Sequence, residues 1–242
     1  MAEGSGPQGW AADAALLDVV TSANIACGGH AGDAETMRHA CDAALERGVR
    51  IGAHPGYADR ENFGRTELGL ENGEIVEQVS EQIVRLEQIA AAAGGEVTHV
   101  KPHGALYHRA LRDDELAAAL AELIAGLASP PVVLAPASGA LVDAARARGL
   151  RCAAEGFADR AYDAAGLLVP RDQPGSILGA EDAVAQALRL AREGSVIAND
   201  GTVLPLDVES ICLHSDTPGA IELAGELRAA LTGGGIEVKA FA

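Results

Sequence analysis

The sequence predicts an α/β fold of parallel strands with helices outside, and two observations predict it. First, short apolar runs alternate with helix-length amphipathic stretches through most of the 242 residues, the pattern of successive β-α units. Second, three of those runs end at or near a histidine: Ser-Ala-Asn-Ile-Ala-Cys-Gly-Gly-His30, Val-Arg-Ile-Gly-Ala-His54 and Val-Thr-His-Val-Lys-Pro-His103. In β/α folds the C-terminal ends of different strands converge on one face. Three imidazoles gathered there would suit proton transfer or metal binding, so the chain reads as an enzyme or part of one.

In chain order, residues 17–25 read as a strand and 33–47 as a helix, with Asp33 as N-cap and Gly48 at its stop. Residues 50–54 are the next strand, followed by a loop to about residue 71. Residues 72–93 form a long helix, because Ile75, Val79, Ile83, Leu86 and Ile89 recur at helical spacing. Strands at 96–101, 132–135 and 151–155 alternate with helices at 113–127 and 139–148. Residues 156–179 read as irregular. Helices at 180–193 and 218–232 flank short strands at 195–198 and 210–214, and 237–241 is expected to close the sheet. No linker, repeat or low-complexity tract divides the sequence, so residues 1–242 are expected to form a single β/α-barrel domain.

Acidic residues outnumber basic ones, 35 against 18, for a net charge of −17. That argues against nucleic acid and anionic membranes as partners. No apolar stretch reaches the ~18–20 residues of a membrane span. The four cysteines, Cys27, Cys41, Cys152 and Cys212, form no C-x-x-C pair. With a polar, Gly-rich start, this predicts a cytoplasmic protein with free thiols. Lysine occurs only at positions 101 and 239, which draws attention to Lys101 inside Val-Lys-Pro-His-Gly.

Five constellations carry candidate chemistry. In Cys27-Gly-Gly-His30-Ala-Gly-Asp33, His30 is a candidate ligand or base, Asp33 a cap, and Cys27 a core thiol. His54 ends its strand before Pro55, with Asp59 and Arg65 following; Arg65 would suit a carboxylate or phosphate. In His99-Val-Lys101-Pro-His103-Gly-Ala-Leu-Tyr107, residues 99, 101 and 103 share one strand face. Buried lysines and histidines are unusual without a task. Glu155 ends a strand as a candidate acid or base, ahead of Asp159, Arg160 and Tyr162. His214 ends the last such run, before Asp216-Thr217-Pro218. There is no P-loop, no dinucleotide fingerprint and no G-x-S-x-G elbow.

Together these segments resemble the LamB/YcsF family. The resemblance runs in order through Thr21–Asp33, Gly52–Gly56, Phe63–Arg65, His99–Tyr107, Glu155–Tyr162, Leu168–Arg171 and His214–Gly219. It implies a seven-stranded β/α barrel of the glycoside hydrolase/deacetylase type. It also implies ATP-dependent opening of 5-oxo-L-proline to L-glutamate with B and C subunits, ATP being a co-substrate of the complex. The family opens on a strand reading Asp-Leu-Asn-x-Asp-x-Gly-Glu. This sequence aligns only Ala2 with the glycine and Glu3 with the final glutamate. The first barrel strand is therefore expected to be missing, through a late start assignment or through truncation; in the second case an open edge and impaired activity are expected.

On this reading His54, His103, Glu155 and Lys101 are the candidate catalytic residues. Asn24, Arg65, Tyr107, Asp159, Arg160, Arg171 and His214 are candidates for binding a small anionic substrate. The runner-up is a metal-dependent amidohydrolase or deacetylase, with His30, His54 and His103 holding a divalent ion. A third reading is a regulatory subunit that binds a small molecule without turnover. The sequence leaves homo-oligomer formation open.

Overall fold

The computed structural model describes residues 1–242, which gather into two compact units, Met1–Ala153 with Ala242, and Ala154–Phe241. The first unit contains β1 (Ser22–Ala26), β2 (Arg50–His54), β3 (Val97–Val100) and β4 (Val132–Ala135), paired in that order and all parallel. Its helices are α1 (Gly6–Leu17), α2 (Ala34–Glu46), α3 (Asn72–Ala92), α4 (Gly104–Ala110), α5 (Asp114–Ala125) and α6 (Ala140–Ala147). Ile25, Met37, Ile51, Ile83, Leu86 and Leu120 are among its fully buried core residues.

Local chemistry explains most of these boundaries. Asp33 caps α2 as expected: its carboxylate accepts from the Glu35 and Thr36 amides at 3.0 and 2.8 Å, while Thr36 returns a bond to the Asp33 amide. This reciprocal box satisfies amides that the first helical turn leaves without partners. Asp113 caps α5 in the same way, accepting from the Leu116 amide at 3.0 Å.

The expected strand at 17–25 is corrected. Gly6–Leu17 is helical, with Pro7 in the first turn, and the strand is only Ser22–Ala26. An Ala-rich run with high helical propensity prevails, and Asp13, Leu16 and Leu17 at helical spacing form the buried face. Met1 lies beside β1. Its amine donates to the Asn24 carbonyl at 3.1 Å, and its carbonyl accepts from the Ala26 amide at 3.0 Å, the bonds of a parallel bridge.

Register places the site. Asn24 faces Gly52 across β1 and β2, and Gly52 faces His99 across β2 and β3. Position 52 has no room for a side chain: a Cβ there would lie 2.0 Å from His99 Nε2. One pleat further on, Ala26 faces His54. The Lys101 and His103 amides then continue the ladder onto the Ala53 and Pro55 carbonyls at 2.9 and 2.8 Å. The alternation expected for residues 99, 101 and 103 therefore runs past the end of β3.

The second unit contains β5 (Cys152–Phe157), which begins at the boundary, and β8 (Ser210–Cys212), parallel to it. β6 (Ser195–Ile197) and β7 (Val203–Pro205) form an antiparallel hairpin, and α7 (Ala180–Glu193) packs with α8 (Ala220–Gly233) through Ala183, Ala187, Leu223 and Leu227. The irregular segment expected at 156–179 is held by side chains. The Gln186 amide nitrogen donates to the carbonyls of Phe157 and Arg160 at 2.7 and 2.8 Å. Arg160 donates to those of Ser176 and Val169 at 3.1 and 2.5 Å. The expected closing strand at 237–241 is corrected: those residues form no strand, because an alternating apolar pattern makes one only where a partner ladder receives it. Neither unit closes its strands into a ring by itself.

Candidate active site

The first unit brings His30, His54 and His103 together. His54 ends β2, His103 is the N-cap residue of α4, and His30 lies in the turn after β1. The rings of His30 and His103 stack with centroids 3.6 Å apart at 7°. His54 stands edge-on to both, at 5.6 and 4.8 Å. Gly56 permits this closeness, since a Cβ there would lie 3.0 Å from His30 Nδ1 and 3.2 Å from the His103 Cβ. Gln82 of α3 fixes that turn, accepting from the Gly56 amide at 3.1 Å and donating to its carbonyl at 2.8 Å.

Backbone carbonyls set the tautomers. His54 Nδ1 lies 2.7 Å from the Lys101 carbonyl oxygen, and His103 Nε2 lies 2.9 Å from that of Phe63. A carbonyl only accepts, so each of these nitrogens carries a hydrogen. The other two nitrogens, His54 Nε2 and His103 Nδ1, face each other at 3.1 Å. In neutral rings both are bare lone pairs. Phe63 presents its carbonyl from a left-handed backbone, φ 55°, a conformation that costs a bulky residue energy.

Electrostatics keep these rings neutral near pH 7. Burial, and then the neighbouring His30, push His103 down to about 3. Burial, then His103, His30 and Lys101, hold His54 well below the usual histidine range. Burial also lowers His30, although Glu3 opposes it. Glu3 was absent from the residues singled out as catalytic, binding or ligating. Its Oε1 lies 3.6 Å from His30 Nε2, and one ligand-type atom from each of Glu3, His30 and His103 lies within 4.8 Å of the other two.

The remaining candidates of this unit lie close by in the fold. Lys101 is buried, with Nζ 5.8 Å from the Tyr107 ring centroid, within cation–π range. Arg65 is exposed, its guanidinium 4.9 Å above the Phe63 ring. Asn24 bonds through Oδ1 to His99 Nε2 at 3.1 Å. Cys27 is the core thiol expected, donating to the Ile25 carbonyl at 3.0 Å, with burial pushing it up to about 12.

The second unit assembles its own group. Asp159, fully buried, accepts from His214 Nδ1 at 2.9 Å and from the Thr217 hydroxyl at 2.5 Å. Arg171 reaches Asp216 at 3.4 Å. Glu155 is buried in β5, in register with Ser210. Arg160 is turned onto backbone carbonyls, as described above. Burial pushes the Asp159 carboxyl up, but the bonds from His214 and Thr217 outweigh it and hold it below its ordinary value. A depressed acid stabilises the fold above its unfolded pKa, and that stability is lost as pH falls through the folded pKa. Asp159→Asn should therefore cost about 2–3 kcal/mol at pH 7, with the gap from wild type narrowing below about pH 4. Urea denaturation at pH 7 and pH 3.5 measures this; a gap that does not narrow contradicts it.

By fold and site this is an α/β protein whose parallel strand ends present a buried, neutral imidazole cluster. The chain belongs to the LamB/YcsF family, whose model matches residues 1–242. It is 46% identical over 241 residues to a Nocardia farcinica protein named as the A subunit of 5-oxoprolinase, covering 100% of this chain and 96% of that one. A Streptomyces avermitilis protein of the same name is 47% identical over 244 residues, covering 100% and 97%. The crystal structure of a lactam utilization protein from Thermus thermophilus superimposes with a TM-score of 0.89 at 38% identity, over 98% of this chain and 94% of the other. No helix is long and apolar enough to cross a membrane.

Proposed function

We propose that this chain is the A subunit of an ATP-dependent 5-oxoprolinase, opening 5-oxo-L-proline to L-glutamate with B and C subunits in the cytoplasm. The observation that carries this reading is the convergence of neutral His30, His54 and His103 in a chain so similar, end to end, to proteins bearing that name. The reading keeps residues 1–242 as one functional domain of the seven-stranded barrel type.

A lactam resists water because amide resonance lowers its electrophilicity. Transfer of the ATP γ-phosphoryl group to the lactam oxygen gives an imidate phosphate and ADP. Water then adds to the ring carbon, and the C–N bond breaks with protonation of nitrogen, leaving an acyl phosphate. A second water releases phosphate and glutamate. His54 and His103 offer the bare nitrogens at which water is activated. Lys101 and Arg65 hold the substrate carboxylate or the phosphoryl group, and Tyr107 and Asn24 add hydrogen bonds. Within the second unit, Asp159 orients His214 for proton transfer, while Arg160 is committed to the backbone of its own loop.

The test is ATP-dependent glutamate release from 5-oxoproline by B and C with and without this chain. Glutamate formed only with the chain supports the proposal. A complete, folded assembly that forms none contradicts it.

A further inference from the structure

Two adjacent buried residues of the second unit, Asp159 and Arg160, each hold a loop in place. Asp159 holds the turn after β8. It accepts from the His214 amide at 3.3 Å, from His214 Nδ1 at 2.9 Å and from the Thr217 hydroxyl at 2.5 Å. A carboxylate only accepts, so His214 Nδ1 carries the hydrogen and the neutral ring keeps a lone pair at Nε2. The ring lies nearly parallel to that of Phe157, at 13° with centroids 5.5 Å apart. Arg160 holds the loop that carries Arg171, donating to the Val169 and Ser176 carbonyls on either side of it. The Ser176 hydroxyl donates in turn to the Arg171 carbonyl at 3.0 Å.

These two firmly held loops meet at Arg171 and Asp216, and the contact between them is poor. Arg171 Nη1 reaches Asp216 Oδ2 at 3.4 Å, well beyond the about 2.7–2.9 Å of a close charge-assisted bond. Nη2 of the same guanidinium is buried and has no hydrogen-bond partner. A guanidinium fork is shaped to take both oxygens of a carboxylate or phosphate, and a buried donor without an acceptor is costly. A partly exposed pair with one long contact is also weak. The Arg171 and His214 side chains are 22% and 23% exposed, so a small solute reaches both.

We infer that Arg171 and His214 form a binding site for a small carboxylate monoanion with a neighbouring N–H, and that Asp216 competes with this ligand for the guanidinium. The ligand carboxylate takes both nitrogens of the Arg171 fork, and its N–H donates to His214 Nε2. Asp159 and Thr217 act as positioning residues, fixing which nitrogen His214 presents. A carboxylate fits better than phosphate, because Asp159 and Asp216 put negative charge beside the site and repel a dianion about twice as strongly as a monoanion. The choice of ligand rests on the proposed function: 5-oxo-L-proline carries a carboxylate one carbon from its ring N–H. This adds Arg171 to the cations assigned to the substrate. The site itself does not depend on turnover.

The experiment is nitrogen-15 NMR of the full chain, labelled in arginine and histidine, titrated with 5-oxo-L-proline, acetate or inorganic phosphate, without ATP or other subunits. 5-Oxo-L-proline is expected to move the Arg171 side-chain signals and His214 Nε2 together, a readout that needs no variant to fold. Asp216→Asn should tighten its binding about tenfold, by removing the competing charge. Arg171→Lys, which keeps the charge and loses the fork, should weaken it about tenfold, and Arg189→Lys should change nothing. No response of Arg171 to either carboxylate at about 0.1 M, phosphate binding tighter than both, or weaker binding in Asp216→Asn overturns the site. Acetate bound at Arg171 without any response to 5-oxo-L-proline supports the site and counts against the proposed function. The glutamate assay remains the separate test of that function.

Discussion

Replacing His103 by glutamine is expected to lower 5-oxoproline-dependent glutamate release about 10²- to 10³-fold, the range for losing a group that activates water. Glutamine cannot both donate to the Phe63 carbonyl and present a bare nitrogen to His54. The loss should appear in kcat more than in KM, since substrate holding is assigned to Lys101 and Arg65. Steady-state kinetics of the reconstituted complex, with a thermal melt to confirm folding, measures it. Activity within about threefold of wild type would remove His103 from the chemistry.

The second large effect is on stability. Gly52→Ala is expected to destabilise the first unit by about 3 kcal/mol or more, because overpacking a tight core forces neighbours out of place. The new Cβ would lie 2.0 Å from His99 Nε2. His99 has no room to yield: it is fully buried and bonded to Asn24 and Thr98, each at 3.1 Å. Displacing it would also strand those polar partners. Urea denaturation reads the change, and a loss under about 1 kcal/mol would show that the row Asn24–Gly52–His99 is looser than the geometry requires.

The histidines were legible because each follows a strand-like run, and strand ends share a face. β2 and α7 match their expected bounds residue for residue, since their patterns are clean and their punctuation strong: Gly48 precedes β2, and Gly179 and Gly194 flank α7. The misses have physical causes. In α1 the Leu16–Leu17 pair followed by valines imitates a strand, and only the buried spacing of Asp13, Leu16 and Leu17 shows a helix face. α4 is a seven-residue helix starting directly after His103, too short to show a period. β7 is three residues long and is made by its hairpin with β6.

The site was legible in its side chains and hidden in its backbone. Glu3 belongs to no local pattern; it reaches His30 because Met1 pairs beside β1. Family resemblance aligned it with a motif glutamate, and that was the one signal that could have singled it out. The carbonyls of Lys101 and Phe63 decide which nitrogens are bare, and a carbonyl leaves no residue-type signature. Lys101 stood out through the scarcity of lysine and proves to be buried, while its carbonyl also anchors His54. Arg160 shows the converse, a charged residue in a family motif whose guanidinium bonds to the backbone of its own loop.

The account turns on opposite tautomers in two touching rings. Nitrogen-15 NMR of histidine-labelled, metal-free protein at pH 8.5 tests this most directly. The structure predicts His54 protonated at Nδ1 and His103 at Nε2, with the two facing nitrogens both bare. A hydrogen on His54 Nε2, donated to His103, would mean that the Lys101 carbonyl does not hold the ring and that the two lone pairs do not converge.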